Sequence, residues 1–221
     1  MSANRQHFFW GSLSPLGGLT GAGLLIMASS RLSWAVTVAG CLFWVYGLTT
    51  LVFTFLLSSN KIKDKFFPVA GRATLFICIA AFFGSVYLFL FWLLCPFAAL
   101  ETFMLIMLVP LFCACSGILE KILGQPEKHQ FDIFENVTDA LSQAATLAGL
   151  IVAFSILREP LAYCSLSFPG SFAGMVTIMY FKGGTFLPIG ILSSSAGAML
   201  LLGFIICIYQ QNKTKLFQGR V

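Results

Sequence analysis

Six apolar runs account for most of the chain, and short polar stretches separate them. They run from about Phe8 to Met27, Trp34 to Leu57, Ala73 to Leu94, Thr102 to Leu119, Val137 to Ile156 and Thr185 to Tyr209. A helix rises about 1.5 Å per residue, so a run of some twenty residues matches the hydrocarbon thickness of a bilayer. The pattern therefore predicts an all-α, polytopic membrane protein of six transmembrane helices. Residues 1–221 form one integral membrane domain. Two of the runs are not plain. The first holds Pro15 and five glycines, and the fourth holds Pro110 followed by Cys113, Cys115, Ser116 and Gly117. Broken backbone is tolerated at membrane depth only where protein surrounds it or it lines a wet cavity. The first and fourth helices are thus expected to be interrupted, with the stretch from Leu105 to Gly124 at the centre of the fold.

The polar stretches refine this picture. The link from Cys95 to Glu101 is short enough to make the third and fourth segments antiparallel neighbours. Glu101 is either solvated at the interface or an ion or proton group at a helix end. Asp139, Ser142, Gln143 and Thr146 recur at helical spacing early in the fifth segment. Such a stripe faces protein or a wet path, or else lies in the headgroup zone, and Asp139 is the acidic candidate near a polar path. Pro160 disfavours helical geometry at Glu159, which predicts a helix end there. Arg158 and Glu159 then read either as an interface pair or as an internal pair fixing the turn. A short amphipathic or re-entrant piece is expected at Phe172 to Phe181. His129 lies in the longest polar loop and reads as solvated.

Composition excludes the soluble alternative. Of 221 residues, 58% are hydrophobic and only 10% charged, with mean hydropathy +0.92. A soluble domain carries about 25% charged residues. The seven cysteines are odd in number and show no Cys-x-x-Cys spacing, so no disulfide framework is expected. The polar start, Met1 to His7, and the lack of a small-residue cleavage pattern predict no cleavable signal peptide. With six crossings, ten of the thirteen Lys and Arg residues fall on the side of the termini. Only Arg31, Arg158 and Lys182 fall on the other. This asymmetry predicts cytoplasmic termini in a bacterial cytoplasmic (inner) membrane. The net charge of +5 then reflects topology and anionic lipid, and no nucleic-acid face is evident.

Three crossings per half would make the halves inverted repeats, spanning about residues 8–94 and 97–209. Pro15-Leu16 in the first half corresponds to Pro110-Leu111 in the second, and Gly21-Ala22 to Ser116-Gly117 at the same offset. In inverted-repeat transport proteins the functional site lies where two broken helices meet near the membrane midplane. That places Ser14, Pro15, Pro110, Cys113, Cys115 and Ser116 around a central site.

Four stretches carry a resemblance to a known family. Leu13-Ser14-Pro15-Leu16 resembles its G-L-C-P-x-L-A stretch, and Val109-Pro110-Leu111 with the small residues behind it resembles I-P-L-I-x-x-N-C-A-I-x-G-R. Arg158-Glu159 followed by Leu161 resembles R-E-x-L-G, and Gly183-Gly184-Thr185-Phe186 resembles P-G-A-F. The family is that of the paired six-span membrane subunits of the Rnf and Nqr ion-translocating electron-transport complexes, and the chain resembles a divergent Rnf E / Nqr D type. The resemblance implies a homologous six-span partner, further subunits of a redox complex, and coupling of electron transfer to Na+ or H+ movement. It also implies a [2Fe-2S] cluster shared with the paired subunit, held by thiolates. At the family cysteine positions this sequence has Ser14 and Ser116, and Lys121 stands at the family arginine. A one-residue shift would put Cys115 on the second metal-ligand position, and Cys113 and Cys115 otherwise read as small helix-contact residues. The residues leave two other functions open on the same scaffold: an ion or small-solute permease, and a structural or assembly subunit.

Overall fold

In the computed structural model the described residues are 15–58, 69–116, 118, 121–122, 132–170, 174–180 and 189–218. The bounded helices among these residues are α1 (Pro15–Ala28), α2 (Leu32–Ser58), α3 (Val69–Leu94), α4 (Pro96–Cys115), α5 (Ile133–Tyr163) and α6 (Ser195–Gln218). A β-hairpin of β1 (Ser165–Gly170) and β2 (Gly174–Tyr180) and a short 3₁₀ turn (Gly190–Ser193) stand between α5 and α6. Among the described residues, four helices are long and apolar enough to cross a membrane: α2, α3, α4 and α5. The fold is thus predominantly α-helical and consistent with a polytopic membrane protein.

The outer surface has the polarity expected in lipid. Large apolar side chains of α3 and α4 point outward, among them Phe82, Phe89, Trp92, Leu94, Leu100 and Met104. A water-facing helix would carry charge at such positions. The hydroxyls inside α2 and α4 show how an apolar setting is managed. Thr37 donates to the Ser33 carbonyl at 2.9 Å, Thr54 to Thr50 at 2.6 Å and Thr102 to Ala98 at 2.7 Å. Each spends its proton on its own helix, which costs little and needs no neighbour.

Packing centres on α2, which contacts α1, α3, α4 and α5. Its main partner is α5, whose buried face is a stripe of small residues: Ala140, Ala144 and Ala148, continued by Ser155. Small side chains four apart let two backbones approach closely, which is how apolar helices associate without a hydrophobic driving force. Close approach recurs on α4. A Cβ at Gly84 of α3 would sit 2.5 Å from Pro110, and one at Gly21 of α1 would sit 2.7 Å from the Phe112 ring.

Several expectations need correction. α5 runs through Pro160 to Tyr163 and ends on Cys164 in the left-handed conformation, φ 51°. Proline removes one N–H and crowds one carbonyl, and three further residues of the last turn still form on the helix. The Phe172 to Phe181 region is not helical where it is described. β1 and β2 pair antiparallel from Ser165↔Tyr180 to Gly170↔Gly174, with an irregularity between Leu166 and Ser167. Met175 to Tyr180 is rich in β-branched and aromatic residues, a strand signal that the expectation of a short amphipathic or re-entrant piece did not use. The sixth helix begins at Ser195 rather than Thr185. Ser194 caps it, accepting from the Gly197 N–H at 3.2 Å. Neither expected interruption is seen over the described helices: α1 is continuous from Pro15 to Ala28, and α4 runs unbroken through Pro110 to Cys115.

The turn before α6 leaves no room beside Gly197. A Cβ there would lie 2.0 Å from the Ile191 carbonyl oxygen, a backbone atom that cannot swing aside. At Gly203, farther along α6, a Cβ would meet nothing within 4 Å. Gly197→Ala should therefore lower the melting temperature in detergent, while Gly203→Ala should hold or raise it through the roughly 1 kcal/mol helix preference for alanine. Equal melting temperatures for the two variants would contradict this packing.

Candidate functional site

Two buried polar constellations stand out, at different depths. The first is built on Arg158 and Glu159, each only 1% exposed. Arg158 Nε donates to the Leu192 carbonyl at 2.8 Å. Its Nη1 donates to the Ile26 carbonyl at 2.7 Å and the Ser29 hydroxyl at 3.2 Å. Its Nη2 donates to the carbonyls of Ser193 and Ser194, each at 3.1 Å. A guanidinium has five N–H donors, and all five are used. Glu159 Oε2 accepts from the Leu32 N–H at 2.7 Å, and Oε1 accepts from the Ser167 N–H at 3.0 Å.

The chemistry follows from what helix ends lack. The Ile26 carbonyl belongs to the last turn of α1 and has no partner ahead of it in the helix. The Leu32 N–H opens α2 and has none behind it. A cation therefore suits the first and an anion the second. Adjacent residues of α5 supply one of each. Among the described residues no ion pair joins Arg158 to Glu159, so the pair fixes the turn by reaching away from itself. Arg31, in the α1–α2 turn, adds a contact of its own: its guanidinium lies 5.1 Å from the centre of the Tyr163 ring and donates to the Met175 sulfur at 3.0 Å.

The second constellation lies where α4 ends. α2 and α4 run parallel, with Trp34 beside Glu101 near one end and Tyr46 against Phe112 deeper in, ring centres 6.2 Å apart. The two contacts are offset by 67 and 66 residues, which sets Ser116 about level with Thr49 or Thr50. α2 continues nine residues beyond Thr49, about 14 Å at the helical rise. The C-terminal end of α4 is therefore inside the protein and well short of the end of α2. Ser116 caps it: its N–H and its hydroxyl both donate to the Cys113 carbonyl, the hydroxyl at 2.7 Å. Tyr46 is fully buried, and its electrostatic neighbours are Cys113, Ser116 and Cys115. The phenol has the Ser116 hydroxyl as its hydrogen-bonding neighbour, and the buried hydroxyls of Thr49 and Thr50 make no hydrogen bond.

The residues singled out from the sequence are distributed as follows. Pro110, Cys113, Cys115 and Ser116 lie together on the second half of α4, with Cys113 and Ser116 buried and Cys115 partly so. Pro15 opens α1, and Ser14 lies outside the described residues, as do Gly183 to Phe186. Asp139 is partly exposed and forms an ion pair with Lys121, away from the alanine face that α5 presents to α2. Tyr46, Thr49 and Thr50 were missed. Their signal is a hydroxyl pattern at i, i+3 and i+4 within an apolar run, which one helical face would collect.

The expectation of a shared [2Fe-2S] cluster, with Cys115 as a metal ligand, is overturned. Among the described residues, no group of three or more His, Cys, Asp or Glu side chains lies together to hold a metal ion. Cys113 and Cys115 stand two apart on one helix and so point to different sides, which prevents both from gripping one cluster. The positions that the resemblance assigns to ligands carry serine, whose hydroxyl is a poor stand-in for the thiolates that bind such clusters. No protein-family model matches the sequence, and no curated protein matches it.

Arg158 and Glu159 should differ in how they tolerate replacement. Arg158→Met leaves the buried Ile26 carbonyl and Ser29 hydroxyl and the partly buried carbonyls of Leu192, Ser193 and Ser194 without this donor, at a cost of about 1–3 kcal/mol for each group that water cannot reach. Arg158→Lys supplies three donors and should recover only part of that stability. Glu159→Gln keeps one acceptor and should cost less than Arg158→Met. The check is thermal unfolding in detergent, followed by a thiol-reactive dye at the buried Cys41 and Cys113. Wild-type melting of Arg158→Met would rule out this joint.

Proposed function

We propose that the chain is a scaffold and ion-path subunit of an Rnf/Nqr-type membrane complex, working without an iron–sulfur cluster of its own. It pairs with a homologous six-span subunit, and its own six crossings form two inverted three-helix halves. The observation that carries this reading is the role of Arg158-Glu159. The dipeptide through which the sequence resembles that family is also the buried joint on which three helix ends, the hairpin and the turn before α6 converge. A motif with such a role persists as long as the scaffold persists, whether or not the redox centre does. The early end of α4 supports the ion-path part, because a helix terminus at membrane depth supplies carbonyl dipoles to a passing cation. The outward apolar faces of α3 and α4 offer surface for lipid and for a paired subunit.

In this reading the termini are cytoplasmic, and the hairpin side, with Arg31 and Arg158, faces away from the cytoplasm. Reporters active only in the cytoplasm should be active when fused after Val221 or near Gln125, and inactive when inserted between Leu161 and Lys182. The reverse pattern would overturn the orientation.

The complex is tested by affinity purification of the tagged chain from its native membrane in mild detergent. The expected result is copurification of a second six-span protein together with flavin-bearing or ferredoxin-like subunits. A chain that purifies alone from intact membranes would favour an independent permease on the same scaffold.

A further inference from the structure

No charged residue lies between Ser165 and Tyr180, the span of the β1–β2 hairpin. Every residue of β2 from Val176 to Tyr180 is exposed, and only Thr177 and the Tyr180 phenol bring polar side-chain groups. Phe168 of β1 is exposed as well. A hairpin that borders water turns a polar face toward it, and β2 has no polar face to turn. Leaving these side chains in water costs about 25 cal/mol per Å² of apolar surface.

The edge of β2 sets the opposite limit. The sheet has two strands, and among the described residues no main-chain hydrogen bond from beyond the hairpin reaches β2. Open strand edges are not tolerated against hydrocarbon. Apolar faces with a polar edge fit the boundary between lipid headgroups and acyl chains, where water and apolar chains are both within reach. A strand from another protein fits that edge less well. The pairing passes from Ser167↔Thr177 to Leu166↔Met179, so Ile178 is an extra residue and the ladder is bulged, a device that blunts strand edges.

The hairpin also stands at the level of a membrane interface. Glu159 accepts from the N–H groups of Leu32 and Ser167, which puts β1 beside the start of α2. β2 packs beside α4. At this end Trp34 donates to Glu101 at 3.4 Å, and Trp92 is exposed near the end of α3. Indoles gather at membrane interfaces. Leu94, Phe97 and Leu100, at the corner of α3 and α4, are exposed too, so the lipid-facing surface of these helices continues to the hairpin. Arg31, beside Met175, makes no ion pair among the described residues, and a phospholipid phosphate complements its charge.

We propose that the β1–β2 hairpin is an interfacial docking element whose occupant is phospholipid. Phe168, Val176, Ile178, Met179 and Tyr180 enter the headgroup–acyl boundary of one leaflet, to a depth of about 5–10 Å. Lipid docking needs only the spanning helices and is independent of any Rnf/Nqr partner.

The test uses the full-length chain, with a fluorescent amino acid encoded in place of Ile178, in nanodiscs of phosphatidylcholine and phosphatidylglycerol. Lipids carrying a nitroxide near the headgroup should quench the fluorophore more than lipids carrying it near the chain end. Aqueous iodide should quench it several-fold less than it quenches the free amino acid. Iodide quenching equal to that of the free amino acid, or stronger quenching from the chain end, would overturn the docking. Replacement at Val176 decides the matter if the Ile178 variant folds poorly. In native membranes, a benzophenone amino acid at Ile178 should yield a phospholipid adduct on irradiation, as should the same residue at the outward Phe82 of α3. A protein adduct at Ile178, whether with a second copy or another subunit, would overturn phospholipid as the occupant. So would the lack of any adduct at Ile178 when Phe82 gives one.

Discussion

Everything at one end of this molecule depends on how Arg158 and Glu159 are satisfied. Two charges are withdrawn from solvent there, at a cost of several kcal/mol each. Their return is seven hydrogen bonds to main chain and one serine. Bonds to charged groups contribute about 1.5–3 kcal/mol apiece, so gain and cost are of similar size. The joint is therefore better understood as a device for specificity than as a large net source of stability. Its partners come from α1, α2, β1 and the turn before α6, four segments that apolar packing alone would allow to slide. Apolar side chains in lipid fix no register, because lipid solvates them as well as another helix does. Orphan carbonyls and N–H groups at helix ends do fix one, because nothing else at that depth can satisfy them.

Once that end is pinned, the depth of everything else follows from helix length. α2 leaves the joint and runs 27 residues. α4 starts beyond the same end, directly after α3, and stops after 20. The shorter helix must end inside the protein, and its terminus falls among the hydroxyls of α2. Gly84 and Gly21 let α3 and α1 close against α4 at Pro110 and Phe112, which holds the terminus in place. The depth at which α4 ends is thus a consequence of helix lengths set against a fixed joint.

The membrane class and the order of the helices were legible in the sequence, because twenty-residue apolar runs are a strong signal with few alternatives. The weight placed on Arg158-Glu159 was legible too, since a charge pair between apolar segments is costly anywhere. Their partners were not, because those partners are main-chain atoms far along the chain, and main chain carries no sequence signature. Pro160 misled for a related reason: its local preference ends a helix, and tertiary contacts on Arg158 and Glu159 hold the last turn together. The hairpin was hidden behind the expectation of a short amphipathic or re-entrant piece at Phe172 to Phe181, although Met175 to Tyr180 reads as a strand on composition alone. Asp139 drew attention as an acidic group on a membrane helix, and it pairs with Lys121 at a partly exposed position. The alanine stripe on the buried face of α5 was the more informative periodicity.

The cysteines show where resemblance and geometry part. A motif match ties Cys113, Cys115 and Ser116 to a cluster, and the helix that carries them turns the two thiols apart. The same helix end, judged by its oxygens rather than its sulfurs, has a different character: Ser116 caps it, and the buried Tyr46 phenol neighbours the Ser116 hydroxyl. Soft sulfur ligands select iron and hard oxygen ligands select alkali and alkaline-earth ions. A scaffold that exchanges thiol for hydroxyl at a mid-depth helix end moves from the first chemistry toward the second without altering its packing, since serine and cysteine are close in size. At the end of α4 the described residues thus offer hydroxyl oxygen rather than converging thiols.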